Sequence, residues 1–350
     1  MLRKTFTFCL IFTCLFILQA NARVWRINNI PGVHKDFADP AAAIASSSVV
    51  HGDTLYVEGS SISYGSFNLT KRLVIIGTGY FLNGTNSNPG LQANPNPSSF
   101  GNTYIIFDST GSGSVLMGLS AFFMGASQNL GSATDNITIT KCQVNSVGIF
   151  YGYITGTVMN GWKINKCYIT GQVGDGSLVM QNWDVSNNII VSSINLSNAG
   201  NLNNIVRNNI INSTITLNQA YFANNVIYST FNVINVTVKN NLGIGNPVGF
   251  GTYAGINGNV NNLTEATIFL GLTGNSTDGQ YRLKAGSPAI GAGLTVGTVV
   301  TPDCGAFGGP DPYILSGIPN IPTIYALTVP ASVPTGTPSM NVTFSTRNNK

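Results

Sequence analysis

Charge is what this chain lacks most. Only 8% of its 350 residues are Asp, Glu, Lys or Arg, about a third of the usual fraction. Glutamate occurs twice, at Glu58 and Glu265, and histidine twice, at His34 and His51. No Lys/Arg run exists, which argues against a nucleic acid or an anionic membrane as partner. Two histidines and no Cys-x-x-Cys pair leave no zinc site, and no metal ligands are expected. A second long apolar run is also missing. The first, residues 6–18, follows Arg3 and Lys4 and precedes Ala20-Asn21-Ala22, the pattern of a secretory signal over residues 1–22. It is short for a membrane span, so no transmembrane segment is expected in the mature chain. The expected location is secreted, extracellular or cell-surface.

Beyond the leader, 14 basic residues (16 less Arg3 and Lys4) face 12 acidic ones. The surface is therefore close to neutral. Disorder needs high net charge and few aliphatic residues, and this chain is rich in Ile and Val. Cys142, Cys167 and Cys304 remain, an odd number that argues against a disulfide framework.

What is present is a repeated phrase: apolar, x, apolar, two polar residues, Cys or Asn, x, apolar. It occupies residues 137–144 (ITITKCQV), 162–169 (WKINKCYI), 183–190 (WDVSNNII), 204–211 (NIVRNNII), 220–227 (AYFANNVI) and 236–243 (VTVKNNLG). Its sixth position is Cys142, Cys167, Asn188, Asn209, Asn225 and Asn241, at intervals of 25, 21, 21, 16 and 16 residues. A unit of that length cannot fold alone, so each copy is one layer of a stack. The phrase alternates as a strand does. Ile137 and Ile139, Trp162 and Ile164, and Trp183 and Val185 point inward. The bend follows at the polar pair, where Asn tolerates left-handed backbone and stacks its amide on the one above. We place that bend and ladder at Asn188, Asn209, Asn225 and Asn241. Cys142 and Cys167 share the slot in consecutive layers, within reach of a disulfide, but inward packing as free thiols is favoured.

Other segments complete the outline. Asp39-Pro40 opens a helix over residues 41–48 that would plug one end of the stack. Strand-like runs cover 54–57, 73–76, 104–107 and 115–123. Residues 324–329 and 340–345 read as two strands between Pro-rich turns. The expected organisation is a signal peptide at 1–22, a repeat domain with its cap at 23–313 and a C-terminal Pro-rich β appendage at 314–350.

Three segments carry a family resemblance: residues 52–57 (GDTLYV) with Tyr64-Gly65, residues 73–77 (LVIIG) with Gly79-Tyr80, and residues 281–293 (YRLKAGSPAIGAG) with 303–309 (DCGAFGG). The chain resembles right-handed parallel β-helix proteins of the pectate-lyase-like superfamily, in particular secreted Bacteroidetes-type members, over roughly residues 33–312. The resemblance implies an all-β, right-handed parallel β-helix and export. It implies no single activity, because such folds carry lyases, hydrolases, esterases and adhesins.

Enzymes of this shape act on acidic polysaccharides along an outer sheet. A lyase needs a base and Ca²⁺ or cations to neutralise a uronate, and a hydrolase needs two carboxylates about 5–10 Å apart. Stacking the phrases gives two outward rows to search. Four positions before the marker lie Thr138, Lys163, Asp184, Ile205, Tyr221 and Thr237; two before it lie Thr140, Asn165, Ser186, Arg207, Ala223 and Lys239. Lys163, Asp184 and Arg207 form the best constellation, read either as a catalytic trio or as a surface ion pair. Tyr151, Tyr153 and Tyr221 are candidate contacts for sugar rings, whereas Trp162 and Trp183 belong to the core.

Carboxylates are scarce, so the favoured expectation is a monomeric, non-catalytic protein that binds a polysaccharide or cell-surface glycan, adhesin-like, without cofactor. The alternatives are a polysaccharide lyase, for which Ca²⁺ would be implied, and a structural envelope protein.

Overall fold

The computed structural model describes residues 22–126, 134–148, 158–176, 178–198 and 203–349. They form a parallel β-helix. A ten-stranded parallel sheet runs from Val24–Ile27 to Thr237–Lys239, and an eleven-stranded parallel sheet takes the next short strand of each layer. A three-stranded parallel sheet, Ile194–Leu196, Ile215–Asn218 and Phe231–Ile234, adds a third side in the later layers.

The phrase alignment is the register of the ten-stranded sheet. Thr138 pairs with Lys163, Lys163 with Asp184, Asp184 with Ile205, Ile205 with Tyr221 and Tyr221 with Thr237. Inward residues bury completely, and the Trp162 and Trp183 rings stack with centroids 5.0 Å apart and planes 3° from parallel. Both indole N–H groups donate to backbone carbonyls, of Thr134 and Met159, so neither ring carries an unmet polar group inside.

Each layer turns at two left-handed residues that bracket its strand in the ten-stranded sheet. The first corner is Asn136, Gly161, Asn182, Asn203, Gln219 or Asn235, and the second is Lys141, Lys166, Asn187, Asn208, Asn224 or Asn240. This conformation costs most side chains about 1–2 kcal/mol and suits Gly and Asn, which accounts for much of the asparagine. The bend therefore falls one residue before the position expected from the sequence. The residues named for it, Asn188, Asn209, Asn225 and Asn241, instead point inward and bury fully.

There they form a continuous amide ladder. Each Nδ2 donates to the Oδ1 of the next: Asn188 to Asn209, Asn209 to Asn225, Asn225 to Asn241 and Asn241 to Asn259, all at 3.0 Å. The same Oδ1 atoms accept the backbone N–H of the residue below, and Nδ2 also reaches a carbonyl of an earlier layer, as from Asn225 to Val206. Cys142 and Cys167 continue the slot as free thiols, with the Cys142 backbone N–H 3.5 Å from the Cys167 sulfur. Burial pushes the Cys167 thiol far up, which keeps it protonated and unreactive.

The helix Pro40–Ala45 caps one end. Asp39 accepts the Ala42 N–H at 2.8 Å, and Ala43 and Ile44 enter the core. The run at 115–123 proves to be two strands, Val115–Met117 and Leu119–Ala126, which turn from one long sheet to the other at left-handed Gly118. An added Cβ at Gly118 would stand 2.7 Å from Pro319, a second reason for glycine there.

Beyond the stack the chain doubles back along its outside. Ile189, Ile210, Val226 and Leu242 on the outer face of the eleven-stranded sheet pack with Ile268, Phe269, Tyr281, Ala289 and Ala306 in a second apolar cluster. The returning strap is stitched to the second row of corners. Asn187 donates to the carbonyls of Ala306 and Gly308, Asn208 to Asp303, Asn224 to Leu294 and Asn240 to Ala292. At the two lysine corners, Lys166 pairs with Asp311, and Lys141 donates to the Ile318 carbonyl and to Asn320. A buried carboxylate ties the strap to the loop after residue 80. Asp278 accepts from Asn88, Ser276, Tyr313 and the Ser316 N–H, and the Tyr313 and Tyr80 hydroxyls are 2.6 Å apart. The described chain then closes with an antiparallel hairpin, Thr323–Thr328 with Thr343–Arg347.

Burial and the neighbouring Lys166 ammonium push Lys141 down to about 8 from an ordinary 10.5, with Asp311 opposing. Below that value the amine is charged in both folded and unfolded chains. Above it, the unfolded chain keeps a proton that the folded chain has released, so stability rises with pH until about 10.5. Denaturant unfolding of the wild type and Lys141→Met should therefore diverge in the wild type's favour from about pH 8 to about pH 9.5. A stability difference independent of pH would contradict this.

Candidate binding face

The outer surface of the ten-stranded sheet stays open on one side only. The row of Thr138, Lys163, Asp184, Ile205, Tyr221 and Thr237 is half-buried or exposed throughout. The second row is outward by alternation, but Thr140, Asn165, Ser186 and Ala223 are buried, contrary to the expectation of a second accessible row. The reason is the strap, which runs along the adjacent corners and shields them. Arg207 and Lys239 remain accessible because their side chains are long enough to extend past that cover.

Lys163, Asp184 and Arg207 share this face. Lys163 lies directly across from Asp184, and Arg207 reaches back one layer so that Nη2 stands 3.2 Å from Asp184 Oδ2. Both partners are about a third exposed, at 33% and 27%, so the pair is worth at most about 1 kcal/mol. The other carboxylate oxygen, Asp184 Oδ1, is buried without a hydrogen-bond partner. Among the described residues Lys163 enters no ion pair and is exposed. The local balance is two cations against one anion, a weakly positive patch.

Tyr221 lies two layers from Asp184, across Ile205, at 36% exposure. Strand spacing puts it about 10 Å along the face from the carboxylate. A half-exposed ring beside Ile205 offers an apolar platform of the kind that sugar faces contact. The other two tyrosines named from the sequence, Tyr151 and Tyr153, lie outside the described residues.

The register also limits the chemistry. In the two outward rows just given, Asp184 is the sole carboxylate. These rows therefore hold no second carboxylate to complete the pair that glycoside hydrolysis needs. Calcium takes six to eight oxygens, usually including several carboxylates, and a single aspartate engaged by Arg207 does not fit it. Among the described residues no group of three or more His, Cys, Asp or Glu is placed to hold a metal ion.

The sequence reading missed Asp278, whose partners come from as far as Asn88, and the strap that narrows the face. One signal for the strap was present. Ile189-Ile190, Ile210-Ile211 and Val226-Ile227 are apolar on both strand faces, which marks a sheet covered on both sides.

The protein is thus, by fold, a parallel β-helix solenoid whose ten-stranded sheet carries an open polar face. No known family, curated protein or solved structure matches the chain. Among the described residues no helix is long and apolar enough to cross a membrane.

Proposed function

We propose that this is an exported, non-catalytic β-helix that binds an acidic glycan along the open face of its ten-stranded sheet, with the pectate-lyase-like superfamily as its place among such folds. One observation carries the reading: that face presents Lys163, Arg207 and Tyr221 around a single, already paired carboxylate. The two cations attract uronate groups, and Tyr221 receives a ring face. Salt would weaken the first contribution and spare the second. A lyase reading draws on the exposed Lys163 as base, but among the described residues no group of three or more His, Cys, Asp or Glu is placed to hold the Ca²⁺ that would neutralise the substrate carboxylate.

The test is incubation with pectins, alginate and glycosaminoglycans, with and without Ca²⁺. Retention on at least one polymer, without unsaturated products or new reducing ends, is the expected result. Turnover that disappears in Lys163→Ala would replace this reading with the lyase. Failure to bind any of the polymers would leave the structural envelope role.

A further inference from the structure

A groove of about 460 Å³ lies on a different side of the solenoid, over the outer face of the three-stranded sheet. Its floor is set by register. Thr216 is flanked by Asn195 and Asn232 on the neighbouring strands, and Asn218 lies two residues along from Thr216 on the same outward face. Its end wall is the loop carrying Gly249, Thr252 and Tyr253. The loop is fastened to the sheet edge, where the Phe231 N–H donates to the Val248 carbonyl at 2.8 Å. Gly249 permits that approach: its φ is +85°, and a Cβ would stand 2.3 Å from the Phe231 carbonyl oxygen. Tyr253 packs edge-on against Phe231, with centroids 5.6 Å apart, and is only half-buried.

Two features define what this groove would take. No residue lining it is charged, in contrast to the Lys163–Asp184–Arg207 face. Thr216 and the exposed Asn232 stand side by side on its floor, beside the half-buried Tyr253 ring. A ligand that supplies O–H donors and an apolar ring face, and bears no charge, answers both.

We propose that this groove is a second binding site, for a neutral sugar unit, with Tyr253 as its platform and Thr216 and Asn232 as its hydrogen-bonding floor. One hydroxyl of the sugar meets the exposed Asn232 amide, and a second meets the Thr216 hydroxyl. The site goes beyond the acidic-glycan reading of the ten-stranded sheet and stands or falls apart from it.

Calorimetric titration with neutral cello-, manno- and xylo-oligosaccharides, each at low and high salt, tests this. At least one should bind with a dissociation constant indifferent to salt, and oligogalacturonate should not compete for the site. Tyr253→Ala should weaken that binding by about tenfold or more through loss of the ring contact. Asn232→Ala removes one exposed amide, is not expected to disturb folding, and should weaken binding about three- to tenfold. The proposal is overturned if none of these oligosaccharides binds, if Asn232→Ala binds as the wild type does, or if oligogalacturonate displaces the neutral sugar. Loss of acidic-glycan binding alone would count against the other face and leave this site standing.

Discussion

Asn225→Ala is expected to destabilise the protein by about 3–5 kcal/mol, because it strands several buried polar groups at once. The Asn225 side chain accepts from the Asn209 backbone N–H and the Asn209 amide, and donates to the Val206 carbonyl and Asn241 Oδ1. These partners lie inside the coil, where Asn225 is fully buried. The loss should spread to both neighbouring layers, since each amide in the ladder is held by the next. Asn235→Gly supplies the contrast. Asn235 is an exposed corner at φ +55°, a conformation that glycine adopts freely, so its replacement should change stability by at most about 0.5 kcal/mol. Chemical denaturation of both variants checks the pair. Similar losses in the two would show that the asparagines serve only the corners.

The second large effect is at Asp278. Its carboxylate is fully buried and accepts from Asn88 at 3.0 Å, Ser276 at 2.8 Å, Tyr313 at 3.2 Å and the Ser316 N–H at 2.6 Å. Asp278→Ala leaves these donors unmet and should cost about 3–5 kcal/mol, given the strength of hydrogen bonds to a charged acceptor. The damage should concentrate in the strap. Hydrogen exchange is expected to speed up at residues 276–318 and in the loop after Tyr80, while the amide ladder around Asn209 keeps its protection. Tyr80 and Tyr313 add a marker, because burial and the Asp278 charge hold both phenols far above their ordinary value. In Asp278→Ala their spectroscopic titration should move down toward that of exposed tyrosine. Uniform acceleration of exchange over the whole chain would contradict a local role.

The solenoid was legible because it rests on local repetition. Placing Lys163 over Asp184 and Ile205 over Tyr221 required only aligned phrases, and the structure has those registers. What the phrase did not distinguish was which of two consecutive asparagines turns the corner. Asn187 and Asn188 are the same residue type, and only backbone geometry separates a left-handed corner from an inward amide. The ladder also runs one layer further, to Asn259, where the flanking residues no longer fit the phrase.

The strap was hidden for a different reason. It has no period, and it is held by side-chain amides reaching backbone carbonyls, which carry no residue-type signature. Asn208 meeting the Asp303 carbonyl spans 95 residues, and Asn187 meeting Gly308 spans 121. For the same reason the sequence overstated the open face. Asn165 and Ser186 point outward as expected, yet the strap buries them and leaves Lys163, Arg207 and Tyr221 accessible.

The claim that this face binds acidic glycan without acting on it is tested most directly by one titration. Oligogalacturonate is added to the wild type, Arg207→Ala and Tyr221→Ala, and heat and unsaturated product are followed in the same samples. Binding to the wild type that weakens with salt, falls about tenfold in each variant and yields no product is the predicted result. Product formation by the wild type, or equal binding by all three proteins, would contradict it.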